Sequence, residues 1–419
     1  MSRPGAGDYG SRFGMKRVAL SYYLLSVGYN LAQFFIWAIY PLFLMSRGLD
    51  LFQINAVLAT YGITVVLFEV PTGALADVFG RRVAFVLGCA VRGAAYALYT
   101  LAYSFHACVM AEFVDAIGTT LVSGALDAWM VDAARAAGEE RPLDPVFARG
   151  AIVGRALMIA GGIAAGYLAE VSLVLPWLVA AAAFATTGAA AVFVMRGERP
   201  APAPTRTSVT RTALRGLGTV RSSPVLLLLC AVSLATALAT FPIHMLWPPR
   251  LRELGAEEFH LIGWVVALLN VASLTGSALL PRLLGRVGRD TVLAAAACWR
   301  AATVSLLAGA TRLGPAVAGV LLQEVAFGVS DPVQVAWTNE HVAASERATV
   351  LSVRSMAFTL GGSAGLLSIG LVAKRAGMPA AFAVSAGLFA LTVPGFVWLG
   401  RTARRTAAVT PAPAPAVAS

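Results

Sequence analysis

The chain has 419 residues, of which 58% are hydrophobic and only 13% are charged, and its mean hydropathy is +0.76. Soluble domains carry about 25% charged residues, so this composition excludes an ordinary soluble protein. The net charge of +11 is compatible with nucleic acid or with a membrane surface, and the positions of the charges must decide between them.

Twelve apolar stretches follow one another along the chain, each near the ~20 residues that a spanning helix needs. They are residues 17–44, 52–75, 83–103, 107–131, 146–169, 172–195, 224–248, 259–281, 291–310, 313–337, 349–373 and 379–400. Only helices and closed barrels satisfy the backbone in lipid, and these runs are too long for barrel strands. The sequence therefore predicts an all-α membrane protein with twelve transmembrane helices.

Most basic residues lie on one side of the predicted helices. With the N-terminus inside, 23 of the 32 fall in cytoplasmic segments and six in outer loops. This asymmetry follows the positive-inside rule, so we expect both termini in the cytoplasm and no nucleic-acid partner. Arginine outnumbers lysine thirty to two, which favours a GC-rich bacterial genome and a multi-pass protein of the bacterial cytoplasmic (inner) membrane.

The predicted helices fall into two sets of six. We expect an N-terminal six-helix bundle over 1–195, a cytoplasmic linker over 196–222, a C-terminal bundle over 223–401 and a disordered tail over 402–419. The bundles resemble each other, since Gly80-Arg81 followed by Arg92 parallels Gly288-Arg289 followed by Arg300. Such weak internal symmetry is typical of duplicated transporters. Neither half carries a phosphate-binding Gly-rich loop with its lysine, so uphill transport would need an ion gradient.

The short loop between the second and third predicted helices carries the most specific motif. Residues 73–82 read Gly-Ala-Leu-Ala-Asp-Val-Phe-Gly-Arg-Arg. This run resembles the G-x-L-A-D-R-x-G-R-R loop of the major facilitator superfamily, and it departs from that pattern at Val78, where the family usually has a basic residue. The resemblance implies two pseudo-symmetric six-helix bundles that transport by alternating access, a fold that closes its core as a monomer.

The same resemblance implies that this loop is a conformational latch on the cytoplasmic side. Asp77 would lie at the positive N-terminal end of the eleventh helix, near Arg347 and Arg354. Arg81 would pair with Asp132, at the inner end of the fourth helix. The alternative is that the arginines only fix topology. The predicted latch residues are Gly73, Asp77, Gly80, Arg81, Arg82, Asp132, Arg347 and Arg354.

Ionisable residues within apolar helices are the candidates for function, because an uncompensated charge in lipid is costly. The fourth helix places Glu112, Asp115, Thr119, Ser123 and Asp127 at steps of three and four, which a straight helix presents on one face. The resemblance implies that helices 1, 4, 7 and 10 line a central cavity. We predict proton coupling by Glu324, Asp115 or Glu112. The predicted substrate-binding residues are Asn30, Gln33, Trp37, Asp115, Thr119, His244, Trp247, Gln323, Glu324 and Asp331.

Two structural alternatives stay open for these residues. The acids could form fixed pairs with Arg92, Arg155 or Arg300, and His244 could be a polar residue near the membrane interface. The four cysteines are scattered through apolar helices without metal-ligand spacing, so we expect no metal and no cofactor.

Three runs, residues 69–73, 123–129 and 347–352, resemble a bacterial branch of the superfamily that is often described as drug or antibiotic exporters. The helix 5 signature of proton-linked exporters is partial, with Gly161-Gly162 and no proline, and Asp115 stands near the place of a signature arginine in helix 4. An acid there suits a cationic or zwitterionic substrate. We therefore expect proton-coupled export (antiport) of a hydrophobic small molecule or drug, with a cationic compound as one option. The alternatives are proton-coupled uptake (symport) of a nutrient or metabolite, and a membrane enzyme or sensor on the same scaffold. The sequence shows no Ser/His/Asp or Cys/His motif, so we expect no enzyme.

Overall fold

The computed structural model describes residues 6–37, 39–139, 141–195, 216–342 and 346–409, without the side chains of residues 6–13, 74, 77, 348 and 407–409. The regular structure in these ranges is entirely helical. The long helices are α1 (Ala6–Phe35), α2 (Tyr40–Ser46), α3 (Leu51–Phe79), α4 (Arg81–Leu101), α5 (Phe105–Val122), α6 (Ala125–Ala136), α7 (Asp144–Val171), α8 (Leu175–Val194), α9 (Pro224–Glu253), α10 (Phe259–Leu284), α11 (Arg289–Gly309), α12 (Leu313–Glu340) and α13 (Arg347–Val409).

The described helices account for the twelve predicted spans. Ten segments are long and apolar enough to cross a membrane, and α1 with α2 forms one more, bent by 45°. Helix α13 is 63 residues long and contains a non-helical residue, Gly377, with φ 85° and ψ 165°. Because glycine adopts such a conformation without strain, the chain can reverse there without a loop. Helix α13 therefore contains two spans.

Two spans differ from the straight helices that the sequence predicts. The first is interrupted between Phe35 and Tyr40, and Pro41 lies in the first turn of α2, where its missing N–H is tolerated. The fourth is interrupted at Gly124, whose φ of 69° is left-handed. The fourth span is therefore not the single straight helix on which the predicted polar face depends. Asp115 is buried, whereas Asp127, beyond the break, is exposed.

The halves pack through two helix pairs, α7 with α10 and α3 with α13. A Cβ atom on Gly263 would lie 2.6 Å from the carbonyl oxygen of Gly162, and one on Gly166 would lie 2.9 Å from His260 Cα. Backbone therefore contacts backbone, and small residues permit this close approach. These contacts lie toward the end of the bundle where α7 ends and α10 begins. The arginine distribution predicts that this end is extracellular, and we call it the outer face.

Candidate functional site

A chain of polar contacts in the C-terminal half runs from a buried arginine to the interface between the halves. Arg300 Nε donates to Gln323 Oε1 at 3.0 Å, and Gln323 Nε2 donates to Glu324 Oε1 at 2.6 Å. Glu324 Oε1 also lies 3.3 Å from His244 Nε2. The indole ring of Trp37 packs edge-on against the imidazole of His244, with ring centroids 5.6 Å apart. The structure thus brings four of the predicted substrate-binding residues together in one cluster.

This cluster becomes more exposed toward the N-terminal half. Arg300 is 2% exposed, the side chains of Glu324 and His244 are 12% and 26% exposed, and Trp37 is 39% exposed. The approach of His244 Nε2 to Glu324 has the distance of an ion pair but not the alignment of a hydrogen bond. Glu324 therefore has the Gln323 amide as a donor on one side and the partly exposed His244 imidazole on the other.

In the N-terminal half, Asp115 is bound by Arg92. Nε of Arg92 lies 2.8 Å from Asp115 Oδ1 and Nη2 lies 3.2 Å from Oδ2. Nη1 of the same guanidinium donates to the Tyr29 hydroxyl at 2.7 Å and to Gln33 Oε1 at 2.9 Å. Such bidentate pairs are strong and geometrically fixed. The geometry therefore favours the fixed-pair alternative for Asp115 over a free carboxylate for a cation.

The two arginine clusters occupy equivalent positions in the two halves. Arg92 and Asp115 are 23 residues apart, and so are Arg300 and Gln323. The second half thus has an amide where the first half has a carboxylate, and its acid, Glu324, comes one residue later. The sequence parallel between Arg92 and Arg300 predicts the two arginines. The equal spacing to their partners was the signal that could have revealed the exchange of Asp for Gln.

Glu112, one of the predicted coupling residues, is buried in the core of the N-terminal half. The Tyr40 hydroxyl donates to its Oε2 at 2.9 Å, and the Tyr99 hydroxyl donates to the same oxygen. Both tyrosines pack against Trp177. In the part of the chain that the structure describes, no basic side chain lies within ion-pair distance of Glu112. Phenol hydroxyls satisfy this carboxyl group, so we interpret it as part of the fold.

The remaining predicted substrate residues are scattered. Asn30 Nδ2 donates to the carbonyl of Ser26 at 2.7 Å, and the Thr119 hydroxyl donates to the Asp115 carbonyl at 3.0 Å. Both side chains are partly exposed and remain candidates. Trp247 is buried in a hydrophobic cluster with Ile243 and Leu246. We correct its assignment, because a side chain held there fills the core and does not face a cavity.

The predicted latch is only partly described. Arg81 Nε lies 3.1 Å from Asp132 Oδ2, so the expected contact is present. Both residues belong to the N-terminal half, and the contact joins α4 to α6. Gly80 begins α4 with φ 92°, while Gly73 has open space at its Cβ position. The side chain of Asp77 lies outside the described residues, so the latch itself stays a prediction.

The other arginines of the predicted latch contact their own half. Arg354 Nε donates to the Ser233 hydroxyl at 3.1 Å, and its Nη2 lies 3.9 Å from Asp331 Oδ1. Arg347 Nη2 lies 3.5 Å from the carbonyl of Asn339. Asp331, predicted to bind substrate, therefore faces an arginine near the inner end of the bundle.

The C-terminal half repeats the Arg81–Asp132 contact. Arg289 Nη2 donates to Glu340 Oε1 at 2.6 Å, and both pairs are separated by 51 residues. Each joins the start of one helix to the inner end of another. Glu340 is not among the residues predicted from the sequence, although the offset between the two halves would have located it.

Two polar contacts at the outer face connect the halves directly, and sequence reasoning missed both. Lys374 Nζ lies 2.9 Å from Asp50 Oδ2. His260 Nδ1 lies 3.1 Å from Glu170 Oε1, and its ring stacks on Tyr167 at 5.1 Å. The signal was the presence of opposite charges at the outer ends of helices from different halves. These contacts close the outer end between α3 and α13 and between α7 and α10.

Lys374 also affects the titration of its partner. Burial raises the pKa of the Asp50 carboxyl, but hydrogen bonds from Lys374 and from the backbone amides of Gln53 and Phe52 lower it by more. The pKa of Asp50 therefore lies below its ordinary value. The carboxylate is held in its charged form at the point where the two halves meet.

Family models match most of this chain. One described as sugar transporters with 12 transmembrane segments matches residues 12–329, and one described as the major facilitator superfamily matches residues 245–418. A curated relative, the uncharacterized MFS-type transporter YxaM of Bacillus subtilis (strain 168), is 25% identical over 378 residues, covering 87% of this chain and 92% of the relative.

Solved transporter structures share the fold. The nucleoside transporter NupG superposes with a TM-score of 0.77 at 13% identity, over 92% of this chain and 99% of its own. An auto-inhibited POT family peptide transporter has a TM-score of 0.73 at 14% identity, over 93% and 97%. The human organic anion transporter MFSD10 has a TM-score of 0.63 at 17% identity, over 91% and 99%. With the matching family models and the duplicated six-helix halves, the chain belongs to the major facilitator superfamily of membrane transporters.

Proposed function

We propose that this transporter exchanges protons for a hydrophobic organic cation and exports the cation. The observation that carries this proposal is the position of Glu324, a carboxylate beside His244, whose ring in turn contacts Trp37 of the other half. Aromatic rings attract organic cations, and a carboxylate beside them supplies the opposite charge. The predicted cationic substrate fits Glu324 better than Asp115, which Arg92 already neutralises.

Exchange would follow from competition for one carboxylate. An uncompensated charge inside the membrane is costly, so Glu324 is most stable when it holds a proton, a protonated His244 or a bound cation. Arrival of a proton displaces the cation, and loss of the proton restores the site. Gln323 holds the carboxylate in place by its 2.6 Å hydrogen bond, while the positive charge of Arg300 lies behind it.

The contacts at the outer face support loading of the cation from the predicted cytoplasmic side. The pairs Asp50–Lys374 and Glu170–His260 join the halves at the outer face. A site between the halves would then receive its cation from the predicted cytoplasmic side, which is the direction that an exporter requires. Opening of the outer pairs would release the cation and admit a proton.

Uptake of a neutral metabolite with protons is the second candidate. The family model that matches residues 12–329 is described as sugar transporters, and this favours a polar substrate. In that mechanism Glu324 would carry the proton only. The direction of proton movement relative to substrate distinguishes the two.

The test uses purified protein in liposomes that contain a fluorescent pH indicator and have an acidic interior. Ethidium, a hydrophobic cation, is added outside. Exchange predicts alkalinisation of the interior as ethidium enters, and loss of this response in Glu324→Gln. Glu257→Gln, at an exposed outer glutamate, is the matched control and should behave as the unmodified protein. Retained coupling in Glu324→Gln would refute the role of this carboxylate. If protons instead move in the same direction as an added sugar or nucleoside, the exchange proposal is wrong and proton-coupled uptake takes its place.

A further inference from the structure

We propose that a single monatomic anion, chloride in the cell, binds beside Arg300 in the core of the C-terminal half. A small cavity lies there between α9, α11, α12 and α13. Its polar lining comes from Thr236, Arg300, Ser330, Gln334 and Thr392. Arg300 is the one residue that this cavity shares with the Glu324 cluster, and the proposed anion is not the transported substrate.

The positive charge of Arg300 has no carboxylate in contact with it among the described residues. Arg300 donates to two neutral groups, Gln323 Oε1 at 3.0 Å and the Thr240 hydroxyl at 2.8 Å. Its guanidinium also lies 4.0 Å from the centroid of the Phe389 ring. Across the described ranges, no carboxylate lies within ion-pair distance of Arg300, and Glu324 acts on it only at longer range. Buried charges are normally paired.

The N-terminal half shows which charge the C-terminal half lacks at this position. Arg92, at the equivalent position, contacts both carboxylate oxygens of Asp115. Gln323 occupies the place of that aspartate and brings no charge. The C-terminal half thus retains the buried cation of the duplicated motif without the anion that accompanied it. A bound anion would restore the balance.

The cavity also contains a buried hydrogen-bond donor that no described residue uses, the hydroxyl of Thr236. Thr236 is 6% exposed, and its hydroxyl has no hydrogen-bond partner among the described residues. Gln334 accepts a hydrogen bond from Ser233 through Oε1, which leaves its amide N–H groups as donors. By contrast, the Ser330 and Thr392 hydroxyls already donate to backbone carbonyls. Arg300, Thr236 and Gln334 therefore form a set of donors, which suits an anion.

The size of the cavity limits the ligand. Its volume is about 10 Å³, which accommodates roughly one water-sized sphere. A carboxylate or phosphate group does not fit. A monatomic anion is the smallest ligand that matches the single positive charge of Arg300, and because chloride is larger than water its binding would require the Thr236 and Gln334 side chains to move apart.

The experiment measures thermal unfolding of the purified full-length protein at constant ionic strength, with chloride replaced stepwise by gluconate. We expect a saturable rise in Tm with chloride, because a ligand that binds only the folded state stabilises it. Thr236→Val keeps the shape and removes one donor, and should weaken the apparent chloride affinity about tenfold, the equivalent of one hydrogen bond. Thr303→Val is the matched control, since that hydroxyl donates only to backbone carbonyls.

Two outcomes would overturn the proposal. A Tm that does not depend on chloride would show that the cavity holds water only. An equal chloride response in Thr236→Val and Thr303→Val would indicate a general salt effect. Crystals of the unmodified protein grown in bromide give an independent test. An anomalous peak in contact with Arg300 is expected, and its absence would also refute the site.

Discussion

His244 Nε2 lies 3.3 Å from Glu324 Oε1, and the two residues belong to different helices, α9 and α12. A relative movement of these helices would therefore change the distance between an acid and a base. Since Trp37 of the other half packs on the same imidazole, movement between the halves would be transmitted to the pair.

We predict that His244→Gln slows proton-coupled exchange about tenfold, the effect of losing one polar contact of ~1.4 kcal/mol. Glutamine keeps polarity and approximate size but cannot carry a proton. Proton flux in liposomes, normalised to the reconstituted protein, measures this effect. Binding of ethidium, followed by its fluorescence, should be retained. An unchanged exchange rate in His244→Gln would show that the imidazole has no part in coupling.

The Arg92–Asp115 pair predicts a loss of stability rather than a loss of coupling. Asp115→Asn leaves a buried guanidinium without its carboxylate, and breaking a buried pair costs about 3–5 kcal/mol. We expect a clearly lower Tm in detergent. The double variant Arg92→Gln/Asp115→Asn should recover part of the loss, because neither charge is then left unpaired.

The opposite result would be equally informative. If Asp115→Asn unfolds at the temperature of the unmodified protein but fails to move protons, Asp115 is a coupling residue and the fixed-pair interpretation is wrong. Glu112→Gln provides a comparison in the same helix, since its partners are hydroxyls that a glutamine can also bond.

The close approach of α7 and α10 predicts that Gly263→Ala weakens closure of the outer face. The added methyl would lie 2.6 Å from the Gly162 carbonyl oxygen, and backbone cannot yield as a side chain can. Spin labels at Ser172→Cys and Glu257→Cys, in a Cys298→Ser background, would report a longer distance across the outer face. Gly387→Ala is the control, because its Cβ position is open. An unchanged distance in Gly263→Ala would contradict this account.

The Asp50–Lys374 contact predicts a pH-independent closure over the ordinary range. Because the pKa of Asp50 is lowered, the contribution of its charge is complete above the ordinary value of about 3.9. It is lost only as the pH falls through the lowered value. Spin labels that flank this contact, at Ser46→Cys and Arg375→Cys in the same Cys298→Ser background, should therefore report equal distances across it at pH 5 and pH 7. Lys374→Gln should open the outer face modestly, because partly exposed pairs contribute about 1 kcal/mol or less. A large opening at pH 5 in the unmodified protein would contradict the assignment.

The sequence predicted the twelve spans and the superfamily correctly, because length and hydropathy determine what can cross a bilayer. It did not predict that Gly124 interrupts the fourth span, since a helical wheel assumes a continuous axis. The division at residues 196–222 stays a prediction, because only 216–222 of that segment is described.

The site residues were harder to rank, because their roles depend on how each helix is rotated. Asp115 and Glu324 are both acids in apolar helices, yet one is enclosed by arginine and the other is partly accessible. Trp37 and Trp247 likewise differ in burial. Only the packing of neighbouring helices distinguishes Asp115 from Glu324 and Trp37 from Trp247. The periodicity of one helix does not contain that information.

The N-terminal half has Asp115 where the C-terminal half has Gln323, and this difference has an electrical consequence. The intact Arg92–Asp115 ion pair is neutral, so its movement carries no net charge. In the proposed exchange, the Arg300–Glu324 cluster would differ by one charge between its empty form and its proton-bound or cation-bound form. A charge that crosses the full membrane potential changes the free energy by about 2.3 kcal/mol per 100 mV. If Glu324 is the exchange site, one half of the duplicated fold is insensitive to voltage at this position, and the other half is where voltage acts on the transport cycle.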